Sequence, residues 1–115
     1  MRQEYKWRGS LRIGREPSLD IINQGLKEFI LHHNNLGKSF VESLSNRIKD
    51  DEYLRCIDLR YNKLNSALIM KMLKTLDNNE SLACIDLRGN KGYSDNPGVQ
   101  QTLAQFLQRN LTIGL

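Results

Sequence analysis

Three short stretches of this chain place two buried-type apolar residues around a single intervening position. They are Phe29 and Leu31, Ile57 and Leu59, and Ile85 and Leu87. A period of two is that of a strand with one face buried. Each pair sits in a longer skeleton that opens on Leu26, Leu54 or Leu82, closes on Asn34, Asn62 or Asn90, and returns at one fixed step. Strands this short bury little alone. Stacked in parallel at about 4.8 Å they share one apolar inner face. The asparagine closing each strand is expected to join a buried ladder, Asn34, Asn62 and Asn90, whose amides satisfy loop backbone groups. An unpaired buried group costs about 1–3 kcal/mol.

Between the strands the period changes to that of a helix. Ser39 and Glu42 have capping-box spacing, and Phe40, Leu44 and Ile48 follow at four-residue steps. Asn65 or Ser66 can cap a second helix carrying Ile69, Met72, Leu73 and Leu76 on one stripe. The third return is longer and irregular from Lys91 to Gly98. Asp95 or Asn96 can cap it, with Pro97 at the first helical position. Val99, Leu103 and Leu107 then make its stripe, with Phe106 beside it. After it, Leu111, Ile113 and Leu115 alternate, which predicts a fourth strand over 111–115. With no charged residue after Arg109, such an apolar edge is an association hazard. Another chain covers it, the native protein continues, or the strand folds back as a C-terminal cap.

The skeleton L-x-x-L-x-L-x-x-N-x-L with a helical return is that of a leucine-rich repeat. The expected fold is an α/β solenoid with parallel strands on the concave side and helices on the convex side. Its parts are an N-terminal arm or cap over 1–25, three repeats over 26–110, and the fourth strand or cap over 111–115. At 115 residues this is one domain, and three repeats are about the minimum for a stable array.

The net charge of +4 is uneven. Residues 1–16 hold Arg2, Lys6, Arg8, Arg12 and Arg15 against two glutamates, which leaves one positive charge for the rest. This basic arm, with Tyr5, Trp7, Leu11 and Ile13, either binds an acidic surface such as nucleic acid or a microtubule, or caps the first repeat. The near-neutral repeats weigh against nucleic acid. No apolar run approaches the roughly 18 residues of a membrane span, and no signal-peptide pattern is present. A cytoplasmic protein is expected.

Cys56 and Cys84 hold the same repeat position. They read as two free thiols or a disulfide. A metal site would need more ligands, and of His32 and His33 only His32 is expected on the concave face beside them. No cofactor is expected. The chain contains no Gly-rich phosphate loop, no G-x-S-x-G and no H-E-x-x-H, so it is not expected to be an enzyme. Asp58 with Asp86 and Arg60 with Arg88 form two columns on the concave face. They are expected to neutralise one another across strands. Arg60, Tyr61 and Arg88 are the candidate contacts to a protein partner, with Asp58, Asp86 and His32 around them.

The 28-residue step resembles the ribonuclease-inhibitor-like class of leucine-rich repeats. Trp7, Ser10-Leu11-Arg12, Arg15, Pro17, Leu19-Asp20, Gly25-Leu26 and the later Leu54-Arg55, Asp58-Leu59, Leu82, Asp86-Leu87-Arg88 and Asn90 are similar in order to the last repeats of a centrosomal leucine-rich-repeat family. That family sits at mother centrioles and ciliary basal bodies. The resemblance implies a non-enzymatic scaffold of the centriole, basal body or cilium, with a possible link to a ubiquitin-ligase complex. The chain departs from the family in lacking its earlier repeats and the coiled coil expected afterwards. The rival reading is a regulatory repeat protein, a ubiquitin-ligase adaptor or GTPase activator. That role generally needs a longer horseshoe and an acidic segment.

Overall fold

The computed structural model describes residues 6–8, 19, 22 and 25–113. Arg2, Arg12 and Arg15 of the basic arm, and Leu115, lie outside the described residues. The described elements run β1 (Lys6–Arg8), β2 (Glu28–Ile30), α1 (Lys38–Ile48), β3 (Cys56–Asp58), α2 (Ser66–Thr75), β4 (Cys84–Asp86), α3 (Lys91–Ser94) and α4 (Pro97–Ile113). The fold is mixed α/β. A small parallel sheet in the order β1-β2-β3-β4 lies on one side and the helices on the other.

The sheet register follows the sequence period. Phe29 pairs with Ile57, and Ile57 with Ile85, so each residue meets its own counterpart one step along the chain. All three side chains are buried, as are Leu31, Leu59 and Leu87. Leu44 and Ile48 of α1, Ile69 and Met72 of α2, and Val99, Leu103 and Phe106 of α4 close the core from the helical side. β1 extends the sheet by pairing Trp7 with Phe29, a shorter step than the one between the later strands.

The asparagine ladder is present, with a graded burial. Asn62 and Asn90 are buried and Asn34 is half-buried. The Asn62 backbone N–H donates to Asn90 Oδ1 at 2.9 Å, and the Asn34 N–H donates to Asn62 Oδ1 at 2.8 Å. Asn90 Oδ1 also accepts from the Leu64 N–H at 3.0 Å. Each Nδ2 then donates to carbonyls of its own turn and, for Asn62 and Asn90, of the turn before.

Three details differ from the sequence expectation. First, α1 starts at Lys38 behind Gly37, which caps with no side chain. Ser39 is therefore inside the helix, and Glu42 is drawn to Lys71 of α2 at 2.9 Å instead of closing a capping box. Second, the third return contains the extra helix α3. Gly92 stands where Leu64 stands in the preceding return, and a side chain there would collide with the Asn65–Ser66 backbone at 2.3 Å. Its glycine lets α3 abut the start of α2, and its N–H donates to Leu64 O at 3.1 Å. Of the two candidate caps for the following helix, Asn96 acts, its Oδ1 accepting from the Val99 N–H at 3.1 Å. Asn65 caps α2 in the same way at 2.8 Å.

Third, there is no strand at 111–113. α4 continues as a helix to Ile113. The polar residues at the ends of the returns mark the difference. Asp51 and Asn79 end the earlier helical returns, each turning its side-chain oxygen onto the N–H groups two and three positions ahead. Asn110 follows near the end of α4, but its Nδ2 donates to Leu82 O at 2.9 Å, whereas Asn79 Nδ2 donates to Ile48 O and Asp51 O. Its Oδ1 is instead taken by the Arg109 guanidinium, with the nearer bond at 2.9 Å. Arg109 also donates to the carbonyls of Asp77 and Asn79. The turn that precedes β3 and β4 does not form here, and Arg109 and Asn110 tie the helix end to the preceding return instead.

Candidate functional site

The strands alternate buried and half-buried residues, so one face of the sheet stays accessible opposite the helices. Three of its columns carry chemistry. Cys56 and Cys84 are register partners, as are Asp58 and Asp86. Arg60 and Arg88 each follow their aspartate two positions later.

Each aspartate is gripped by its own arginine. Asp58 accepts from Arg60 Nε at 3.0 Å, Nη2 at 2.9 Å and the backbone N–H at 3.1 Å. Asp86 and Arg88 repeat this at 2.9, 2.7 and 3.2 Å. The expected neutralisation across strands is thus mainly neutralisation within strands. Parallel register places Asp opposite Asp, and the arginine just beyond reaches back bidentately. The cross-strand component is one longer contact, Arg60 Nε to Asp86 Oδ2 at 3.7 Å. Burial pushes the Asp58 carboxyl up, but hydrogen bonds and charge from Arg60 outweigh it and leave the group below its ordinary value. The hydrogen bond from Arg88 lowers Asp86 against a smaller effect of burial. Both guanidiniums are raised by their aspartates. The aspartates are held ionised, so neither is poised as a general acid.

Beside this lattice stands an aromatic shelf. Tyr61 is half exposed, at 51%. Its ring stacks on His33 with centroids 4.6 Å apart and planes 19° from parallel. His32 meets His33 edge-on at 4.9 Å, and the two Nδ1 atoms lie 2.8 Å apart, one donating to the other. His33, Tyr61 and Gly89 hold equivalent positions in successive turns, and all have positive φ, at 60°, 55° and 79°. The αL conformation is uncommon outside glycine. At Gly89 it is required twice over, because a Cβ there would lie 2.3 Å from the Tyr61 ring. The ring is therefore held between an imidazole and a bare backbone.

The two thiols are free. Burial, then the hydrogen bond that the Cys56 S–H donates to Cys84, then the nearby charges push the Cys56 thiol up to about 12. It is protonated at neutral pH and is no nucleophile. Among the described residues no three His, Cys, Asp or Glu side chains converge as a metal site.

The structure brings together Asp58, Arg60, Tyr61, Asp86, Arg88 and His32 on one face. Of the basic arm, Lys6 and Arg8 lie in β1, separated from β3 by β2. Sequence reasoning missed His33. The signal was there, since His33, Tyr61 and Gly89 are separated by the same step as the ladder asparagines. It also missed the polar residues that end the returns, Asp51, Asn79 and Asn110. At the opposite edge an open hollow of about 500 Å³ is lined by Asp50, Asp51, Glu52, Arg55 and Glu80 among others. The carboxylate of Asp51 is spent there on the Tyr53 and Leu54 N–H groups.

Among the described residues no helix is long and apolar enough to cross a membrane. No family model matches the chain. No curated protein matches it. Among solved structures it is similar to the leiomodin-1 actin-binding site 2, with a TM-score of 0.62 over 84% of this chain and 71% of that one, at 13% identity. At that identity the likeness shows the fold alone.

Proposed function

We propose that this chain is a short leucine-rich-repeat solenoid with 28-residue repeats, of the ribonuclease-inhibitor-like class, and that it works as a non-enzymatic protein-interaction scaffold. The observation that carries the reading is the open face of the sheet. Its charged and aromatic side chains are fixed in advance by bidentate pairs and a stacked ring, while Arg88 and Tyr61 stay well exposed. Binding such a surface costs little side-chain entropy. Arginine and tyrosine are the residue types that dominate interface energetics, and the concave face is the usual docking surface of a solenoid.

The cytoskeleton is the proposed setting, in the cytoplasm at the centrosome, basal body or cilium. The resemblance of the repeats to the centrosomal family supports it. So does the fold likeness to a fragment whose own role is actin binding. A second, end-on contact with another chain is proposed at the end of α4, where Leu111 and Ile113 are 54% and 48% exposed.

The test is affinity capture from ciliated cells, with filamentous-actin co-sedimentation as a separate arm. Arg60→Glu with Arg88→Glu should abolish capture of the partner while the circular dichroism spectrum stays that of wild type. Tyr61→Asn, which keeps a residue tolerant of αL and removes the ring, should weaken capture without loss of fold. Undiminished capture by both variants would move the contact off this face.

A further inference from the structure

The proposed docking surface leaves the cysteine column unexplained. Cys56 and Cys84 are directly opposed in register on β3 and β4. Both are half-buried on the open face, with free thiols close enough to interact. Parallel strands run about 4.8 Å apart, and in-register side chains leave the sheet in the same direction with about that spacing.

The strand spacing lies inside the roughly 4.4–6.8 Å Cα range of disulfides. Side chains leaving in parallel keep the Cβ atoms wider apart than the roughly 3.8 Å a relaxed disulfide prefers, so the pair is less suited to a disulfide than to a bridge of greater span. The strands are held at their spacing on both sides of the pair. The Ala83 and Cys84 N–H groups donate to Arg55 O at 2.8 and 3.0 Å, and the Leu59 N–H donates to Asp86 O at 2.9 Å. Two metal–thiolate bonds of about 2.3 Å each, laid end to end, span about 4.6 Å. That matches the strand spacing without moving the backbone.

We propose that Cys56 and Cys84 form a two-coordinate site for a soft monovalent cation of the copper(I) class, bridging β3 and β4. Thiolates are soft ligands that favour Cu(I), zinc and iron–sulfur clusters, and of these Cu(I) is the one content with two ligands. Zinc takes four ligands in a structural site, and among the described residues no third or fourth His, Cys, Asp or Glu joins the pair. In the binding step two S–H bonds break, two S–Cu bonds form and two protons leave to solvent. No electron is transferred. The bridged form ties neighbouring repeats together, and a ligand that binds only the folded state raises stability.

The experiment uses the full chain, reduced and kept anaerobic, titrated with Cu(I) held by bicinchoninate. The wild type should withdraw one equivalent of copper per chain, with a thiolate-to-copper charge-transfer band in the ultraviolet. Its thermal midpoint should rise on loading. Cys56→Ser and Cys84→Ser should each withdraw none, with unchanged circular dichroism. Zn²⁺ presented with a chromophoric chelator should not be taken up. Failure of the wild type to compete, or no rise in its midpoint, would overturn the proposal whatever the variants do. So would copper retained by either single variant, or zinc bound as well as copper. None of these readouts involves the protein partner, so the outcome is independent of the docking proposal.

Discussion

Truncating the ladder asparagines should have unequal costs, and the inequality can be worked out bond by bond. Asn90→Ala removes the only acceptor shown for two buried N–H groups, those of Asn62 and Leu64. The carbonyls it serves fare better. Leu59 O keeps its bond from Asn62 Nδ2, and Leu87 O keeps the Asn90 backbone N–H. Asn62→Ala likewise frees carbonyls that retain other donors. Leu31 O keeps Asn34 Nδ2, Leu59 O keeps Asn90 Nδ2, and Arg60 O keeps the His33 N–H. It deprives the half-buried Asn34 N–H of the Asn62 oxygen. At about 1–3 kcal/mol for each orphaned buried group, Asn90→Ala should cost about 2–6 kcal/mol. Asn62→Ala should cost less, because the N–H it affects belongs to a half-buried residue. Asn65→Ala removes one exposed helix cap, worth about 0.5–2 kcal/mol, and should cost least. A domain of this kind has only about 5–15 kcal/mol in all. Asn90→Asp keeps the acceptor oxygen and should recover part of the loss. Urea unfolding of the four variants gives the ranking through the midpoint at constant slope. If Asn65→Ala proved the most costly, or Asn62→Ala exceeded Asn90→Ala, the orphan-counting argument would fail.

Leu59→Ala, at a fully buried site in the middle of the array, should cost about 2–5 kcal/mol. A thermal melt within two degrees of wild type would contradict the packing described for it. Gly89→Ala must displace the Tyr61 ring and also strains a positive φ. Its cost should be about 1–3 kcal/mol, and nuclear Overhauser contacts between Tyr61 and His33 should be lost. The arginine-gripped aspartates have folded pKa values below their ordinary ones. Their contribution to stability is therefore present above an unfolded value of about 3.9 and is lost as pH falls through the depressed folded values. Carboxyl NMR titration should find Asp86 below its ordinary value, moving up toward it in Arg88→Gln; an unmoved titration would separate the depression from Arg88.

What was legible in the sequence is what the period controls. A side chain that recurs at a fixed step meets its own kind across each strand pair. The register Phe29–Ile57–Ile85, the buried Leu59 and the links among Asn34, Asn62 and Asn90 follow from spacing alone. The arginine column was legible too, but its partners were not. Periodicity says which residues stack, not which way a long side chain turns, and Arg60 and Arg88 turn back onto their own strands. His33 shared its step with Tyr61 and Gly89, and the glycine marked the column. That the imidazole stacks on the Tyr61 ring depends on a positive φ at both, which leaves little trace in residue type outside glycine.

The end of α4 shows where period fails altogether. Leu111, Ile113 and Leu115 have the alternation of a strand, and Asn110 has the residue type that ends the earlier return at Asn79. Local pattern and repeat pattern agree, yet the segment is helical through Ile113. The difference lies in one neighbour. The carboxamide oxygen of Asn79 is left to accept the N–H groups of Ser81 and Leu82, which turns the chain out of its return. The oxygen of Asn110 is held by Arg109, whose guanidinium is anchored in turn on the carbonyls of the preceding return. A charged donor competes well for one acceptor against a neutral backbone N–H. At β3 and β4 the strand entry goes with a side-chain oxygen engaged on the N–H groups just ahead. At the end of α4 the corresponding contacts run back to Asp77 and Asn79 through Arg109, a full return earlier in the chain, and no window of local sequence contains them.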